Sequence, residues 1–245
     1  MSTPPTRNSI AEWTVTILLL LFATSTLGQA FVIPTGSMED TLLIGDHLWV
    51  DKLAYAPAGS LAGRLLPYTP LQRGDVIVFR PPIDIKDPYV KRLIGLPGDR
   101  IRIRNKQLYL NGKPALEPYK FHKTEYIDSY RDNFPSRPNA PLYKGAVEML
   151  EKHVVDGDIL VPDNHYFAMG DNRDNSLDSR YWGFISRERI IGKPVIIWWS
   201  YDAPTERLQD PLIGLDHAKD LALNFFGKTR WRRTFQPVRG HALNP

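Results

Sequence analysis

A serine hydroxyl becomes a useful nucleophile only when a neighbour can take its proton, and a lysine amine can do so once burial has stripped its charge. The chain carries one candidate of each kind. Ser37 stands in Ile33-Pro34-Thr35-Gly36-Ser37-Met38, at the end of a stretch, residues 13 to 38, that holds no charged side chain. Lys91 stands in Tyr89-Val90-Lys91-Arg92-Leu93-Ile94, a strand-like run whose apolar neighbours favour burial and so disfavour the ammonium form. Arg92 cannot serve as the base, because a guanidinium keeps its proton at any working pH. Alternation alone does not say which of Lys91 and Arg92 faces a site. Together the two residues point to a Ser/Lys hydrolase held at a membrane surface.

A third polar element runs Gly170-Asp171-Asn172-Arg173-Asp174-Asn175-Ser176-Leu177-Asp178-Ser179-Arg180-Tyr181-Trp182-Gly183. As a calcium loop it fails, because Arg173 stands where an oxygen ligand is needed and no acidic twelfth position follows. No metal and no cofactor is expected elsewhere. Cysteine is absent, which excludes thiolate ligands, cysteine nucleophiles and disulfides, and the 6 histidines show no paired ligand spacing.

These residues must be positioned by the elements around them. The apolar run from Trp13 to Ile33 predicts one membrane-spanning helix, since about 1.5 Å of rise per residue lets it cover a hydrocarbon core of roughly 30 Å. A cleaved leader is the rival reading, because Gly28-Gln29-Ala30 and Ala23-Thr24-Ser25 supply small residues, yet the run exceeds an ordinary leader core. Arg7 and the amino terminus give a vote for a cytoplasmic N-terminus. Beyond residue 45 the pattern is all-β, with strands expected over 47–53, 75–80, 89–94, 100–104, 107–110, 158–161, 165–169 and 190–200, and a hairpin closed at Asn105-Lys106. Residues 54–72 and 113–144, rich in Pro and Gly or in Pro, Tyr and charge, read as loops. A short amphipathic helix is expected from about Leu212 to Phe226. The net charge of +4 is concentrated in Lys228, Arg230, Arg232, Arg233 and Arg239, which suits anionic lipid headgroups. No nucleic-acid module accompanies that run, so nucleic acid is not an expected partner.

Pro34-Thr35-Gly36-Ser37-Met38, Arg73-Gly74-Asp75-Val76, Tyr89 to Asp99 and the Gly170 to Gly183 segment, in that order, resemble the motifs of bacterial type I signal peptidases. The resemblance covers the chain from the anchor to about Trp199, is weak through residues 105–160, and omits the C-terminal tail. It implies that Ser37 is the nucleophile and Lys91 the general base, that Ser176 orients the amine, and that Thr35 and the Ser37 N–H form the oxyanion hole. Asp178 and Arg180 would be a supporting ion pair. Phe31, Ile33, Pro34, Met38, Leu42, Tyr89 and Val90 would line shallow pockets that select Ala-x-Ala in an extended peptide. Read from the residues alone, these seven are core. Two differences stand out: Asp40 occupies a position where the family usually has proline, and the cysteines that some relatives carry are missing.

The resulting expectation is a mainly β protein, a signal-peptidase-like β-barrel or sandwich with one N-terminal transmembrane helix. Its parts would be a short cytoplasmic N-terminus (1–12), the span (13–33), an extracytoplasmic catalytic domain (34–200, with an insertion at about 105–160) and a basic tail (201–245). It would sit in the cytoplasmic membrane as a single-pass protein, cut signal peptides from secreted precursors, meet membrane lipid, and act with the export machinery. Two rival readings are a self-cleaving Ser/Lys protease of the repressor type, opposed by the anchor and by the lack of a DNA-binding domain, and a catalytically silent peptide-binding protein.

Overall fold

In Arg100-Ile101-Arg102-Ile103-Arg104 the isoleucines are buried and the arginines are not, the period-2 signature of a strand with one face on a core. In Val76-Ile77-Val78-Phe79 every residue is buried, as in a strand covered on both faces. The computed structural model describes residues 9–55, 68–83, 87–210 and 214–243. Along the chain come α1 (Ser9–Thr26), β1 (Gly28–Val32), β2 (Asp46–Asp51), β3 (Val76–Phe79), β4 (Tyr89–Gly95), β5 (Arg100–Arg104), β6 (Gln107–Leu110) and β7 (Lys113–Pro114). Next are α2 (Lys144–Lys152), β8 (Val154–Val155), β9 (Asp158–Leu160), β10 (His165–Met169), α3 (Ser179–Trp182) and β11 (Ile185–Ser186). The last are β12 (Ile190–Ser200), α4 (Thr205–Gln209), α5 (Leu215–Lys228) and β13 (Gln236–Pro237).

The strands form two antiparallel sheets. One has the order β1-β2-β12-β3-β4-β10-β11 with β13 beside β12, and the other has the order β7-β6-β5-β9-β8. Strand β12 pairs with β2 through residues 193–200 and with β3 through Ile190 and Gly192, with register shifts inside each pairing, so it bends and curls the first sheet. Asn105 and Lys106 both take positive φ between β5 and β6, the twist that a two-residue hairpin requires.

The helix expected from Trp13 to Ile33 is displaced. Helix α1 begins at Ser9 and ends at Thr26, after which Gly28 to Val32 pair with Asp51 to His47. The apolar run continues into a strand because β2 supplies hydrogen-bond partners for its backbone, and Gly28 lets that pairing close. A Cβ there would lie 2.7 Å from the Trp49 indole. Among the described residues no helix is long and apolar enough to cross a membrane. Helix α2 was not expected; it follows the Pro-rich stretch and buries Ala146 and Met149. Residues 1–8 of the expected cytoplasmic segment, 56–67 of the expected loop at 54–72, and the expected helix start at Leu212 lie outside the described residues.

Three apolar clusters fill the fold. One, with Ile33, Met38, Leu42, Leu48, Val50, Val76 and Val78, lies under the Ser37 turn. A second joins Ile77, Phe79, Leu93, Trp182 and Ile185, and a third fills the second sheet. The C-terminal residues tie these together. Val238 lies against the first cluster, the His241 N–H donates to the Gly74 carbonyl at 3.2 Å, and Leu243 is buried in the third. The tail charge is partly spent on the fold as well, since Arg230 donates to Ser200 and Tyr201, Arg233 to Asp46, and Lys228 to Asp220. Arg232 and Arg239 stay exposed.

Leu243 anchors this clasp, so Leu243→Ala should lower unfolding free energy by about 2–4 kcal/mol, the usual cost of emptying a buried leucine site. Chemical denaturation reads this directly; an unchanged midpoint would show that the tail is not part of the cooperative unit.

Candidate active site

Strand β4 lies between β3 and β10, and from Lys91 to Gly95 its residues on both faces are buried. Lys91 is 4% exposed and Arg92 is fully buried. The strand separates their tasks. The Lys91 Nζ donates to Ser37 Oγ at 2.7 Å and to the Val90 carbonyl at 3.1 Å, and lies 5.2 Å from the centre of the Tyr89 ring. Arg92 instead forms a fork to Asp171, with Nε to Oδ1 at 2.8 Å and a terminal nitrogen to Oδ2 at 2.6 Å.

Ser37 is held on a single turn of 3-10 helix, Gly36–Met38, whose three residues are all buried. The Gly170 to Ser176 segment closes on this turn. The Asn172 N–H donates to the Ser37 carbonyl at 3.1 Å, and its side-chain amide donates to Gly36 O and to Glu39, each at 3.1 Å. Thr41 donates to Asp171 Oδ2 at 2.6 Å, so one carboxylate joins the loop after Ser37 to the strand that carries Lys91. Gly170 allows the approach: a Cβ there would lie 2.3 Å from Ser176 Oγ and 2.4 Å from the Ser37 carbonyl oxygen.

Burial pulls the Lys91 pKa down from 10.5 to about 8; the Asp178 and Asp171 carboxylates oppose this and the Arg180 guanidinium assists it. Burial alone would raise the Asp178 pKa, but Arg180 beside it holds it below the ordinary carboxylate value. Asp178 and Arg180 form a two-pronged pair at 2.8 and 2.7 Å, and Asp178 also accepts from the Gly170 N–H at 3.1 Å.

At 2.7 Å the ammonium donates to the serine oxygen. Once neutral, the amine exposes a lone pair to the same oxygen, the roles reverse, and the Ser37 O–H donates to nitrogen. That is the ground-state geometry of general-base activation.

The remaining residues singled out from sequence divide. Ser176 is buried beside Gly170, and its hydroxyl bears on the Asp178 carboxylate rather than on the Lys91 amine. Thr35 is exposed and its side chain makes no capping bond. Phe31, Ile33, Met38, Leu42 and Val90 gather in the cluster under the Ser37 turn, while Tyr89 belongs to the cluster around Phe79. Ile33, Met38 and Leu42 are sealed from solvent, leaving Phe31, Pro34, Tyr89 and Val90 half-exposed. Gly170, Asp171 and Asn172 were given only as members of the Gly170 to Gly183 segment, without individual roles, and Thr41 was not singled out. Their signal was limited to a polar turn, whose partners lie as many as 136 residues away.

His122, Asp132 and Asp174 bring potential ligand atoms within 4.8 Å of one another. Arg131 occupies the same carboxylates, at 2.8 Å from Asp132 and 3.2 Å from Asp174, so the cluster is already neutralised by protein cations.

A family model described as signal peptidase, peptidase S26, matches residues 6–199. The chain is 36% identical over 201 residues to the signal peptidase I of Pseudomonas fluorescens, covering 77% of this chain and 70% of that relative. It is 35% identical over 203 residues to the signal peptidase I of Pseudomonas aeruginosa, with 77% and 70% covered. A crystal structure of a signal peptidase I from Enterococcus faecalis is 30% identical and covers 51% of this chain and 97% of that one, with a TM-score of 0.35.

The depressed pKa of Lys91 has a stability signature. Below about pH 8 the folded state bears the whole cost of burying an ammonium; between about 8 and 10.5 the unfolded chain binds more protons, so stability rises with pH. Lys91→Met should remove this slope and stabilise the protein at pH 7 by about 3 kcal/mol, one pKa unit being about 1.36 kcal/mol. Denaturation of both proteins at several pH values tests it; parallel curves would mean that the amine is not desolvated.

Proposed function

The chain belongs to the signal peptidase family, peptidase S26, and is a serine endopeptidase, and we propose that it removes signal peptides from exported precursors with Ser37 as nucleophile and Lys91 as general base. The observation that carries this reading is the 2.7 Å contact between Ser37 Oγ and a buried Lys91 amine whose pKa is drawn down to about 8.

The Ser37 oxygen attacks the scissile carbonyl as its proton passes to the neutral Lys91 Nζ. The Ser37 N–H, at the start of a helical turn where backbone donors lack partners, and the exposed Thr35 hydroxyl stabilise the oxyanion. As the tetrahedral species collapses, the C–N bond breaks and the lysine ammonium protonates the departing amine, which is the N-terminus of the mature protein. The signal peptide stays esterified to Ser37. A water molecule then attacks the ester while its proton goes to Lys91, and breaking the C–O bond returns that proton to Ser37. Ser176, beside Gly170 with its hydroxyl turned to Asp178, orients the amine once the charge changes. Asp178 and Arg180 hold the Ser176 turn in place.

Specificity follows from the half-exposed Phe31, Pro34, Tyr89 and Val90 over the sealed Ile33, Met38 and Leu42. This surface is shallow and apolar, fits alanine at the first and third positions before the cut, and leaves the middle side chain free. An extended substrate beside the sheet supplies backbone hydrogen bonds while the pockets select.

The apolar side chains of α1 are exposed all round, with Trp13 at 69% and Phe22 at 62%. A helix apolar on every side is suited to lipid. Helix α1 is seated in the cytoplasmic membrane, the catalytic sheets lie on its outer side, and the export machinery delivers precursors there. Arg232 and Arg239 meet anionic headgroups. This arrangement brings Ser37, a few residues beyond β1, close to the membrane surface.

Incubating the protein with a signal-bearing precursor should yield a mature product, and Ser37→Ala should abolish cleavage. Persistent cleavage in that variant would rule out the assigned nucleophile. In the wild type kcat/KM should rise about tenfold per pH unit below about 8 and level off above it, because only the neutral amine accepts a proton. Lys91→Arg should be inactive at every pH; wild-type turnover would exclude Lys91 as the base.

A further inference from the structure

Arg173 is a buried cation in the middle of the turn that carries Ser176, and its charge is met by a residue outside the family-like motifs. Glu117, whose side chain is fully buried, receives both terminal nitrogens of Arg173; one bond is 3.0 Å and the other, from Nη2 to Oε1, is shorter. The same guanidinium donates from Nε to the Gly170 carbonyl at 3.1 Å, and the Arg173 carbonyl accepts from Arg180 at 3.0 Å. Backbone bonds dock the segment beside it: Phe121 N–H to Asp171 O at 2.8 Å and Arg173 N–H to Phe121 O at 3.0 Å. Between these contacts the Tyr119 ring lies under the Arg92 guanidinium, 3.9 Å from its centre, while its hydroxyl donates to Glu117 at 3.3 Å. Residues 117–121 thus hold both arginines that organise the site, one beside Lys91 in sequence and one beside Gly170 in space.

We propose that Glu117 is a positioning residue for the reaction at Ser37: by fixing Arg173 it fixes Gly170, against which the Ser37 carbonyl and the Ser176 hydroxyl close. The proposal rests on the catalytic reading given above. An anchored Arg173 has only one direction in which to aim its Nε, toward Gly170 O. That carbonyl belongs to the residue whose missing side chain leaves room for Ser37 and Ser176 to meet. If the Arg173 fork loses its partner, Gly170 can shift, water reaches the amine, and the serine and lysine drift from reacting distance. Misplacement on the order of 1 Å costs up to about a hundredfold in rate. Glu117 touches neither Ser37 nor Lys91, so its effect must appear in turnover and in the titration of the base rather than in substrate binding.

The test compares wild type, Glu117→Gln, Glu117→Asp and Ser37→Ala on a signal-bearing precursor, well below the melting temperature of each. Glu117→Gln keeps an acceptor but removes the charge, and the loss of one partner of a buried pair can prevent folding. Glu117→Asp keeps the charge and the fold while shortening the reach by one methylene. In whichever variants fold, kcat should fall by about tenfold or more with KM nearly unchanged, and the apparent pKa of kcat/KM should move up toward that of free lysine. A lower melting temperature with unaltered kcat and pH profile would make Glu117 structural only and overturn the proposal. Retained cleavage by Ser37→Ala would instead overturn the underlying reading of the site, so the two failures are separable.

Discussion

The structure depends on an amine kept from water. A lysine buried on a central strand and touching a serine oxygen at 2.7 Å loses much of its preference for the charged state. That loss is what the proposed role of Lys91 as a base needs, and it requires a rigid, dry surround. A mobile neighbourhood would admit water and restore the ordinary basicity, so precision around the amine is a chemical requirement as well as a packing one.

The surround is built from ions, each met by its opposite. Arg92 meets Asp171, Arg180 meets Asp178 and Arg173 meets Glu117, all almost wholly buried. Such pairs add little net stability, because desolvating both partners offsets much of their attraction. Their value here is directional. A guanidinium fork accepts a carboxylate in few orientations, so these pairs join strand β4, the Ser37 turn and the Gly170 turn in a fixed relation. Asp171 ties Arg92 to Thr41, which the same guanidinium also reaches directly at 3.3 Å.

Ser37 and Lys91, which the fold brings together, stood out in the sequence because both carry a local anomaly: a serine closing an uncharged run and a lysine within an apolar strand. The β pattern was legible for the same reason, since alternation is written in adjacent residues. What escaped depends on distance. The end of α1 was misread because Leu, Ile, Val and Phe are equally apolar in a helix and in a strand, and only pairing with β2 decides between them at Gly28. The choice between Lys91 and Arg92 was open because both are buried, and the difference lies in which loop each meets. Glu117 looked like one charge in a polar segment, and its partner is 56 residues downstream. The basic tail read as a lipid-facing charge cluster because nothing nearby in sequence reveals that Asp46 receives Arg233.

The late position of those tail residues has a consequence for biosynthesis. Arg233 satisfies an aspartate 187 residues earlier, and the last described residue, Leu243, plugs a cavity formed by strands made long before. A ribosome-bound chain therefore leaves Asp46 without its guanidinium partner until Arg233 emerges, and the second sheet's core incomplete until Leu243 follows. The fold closes only once residues 233 to 243 have left the ribosome, so the segment that follows the long strand β12 acts as its latch.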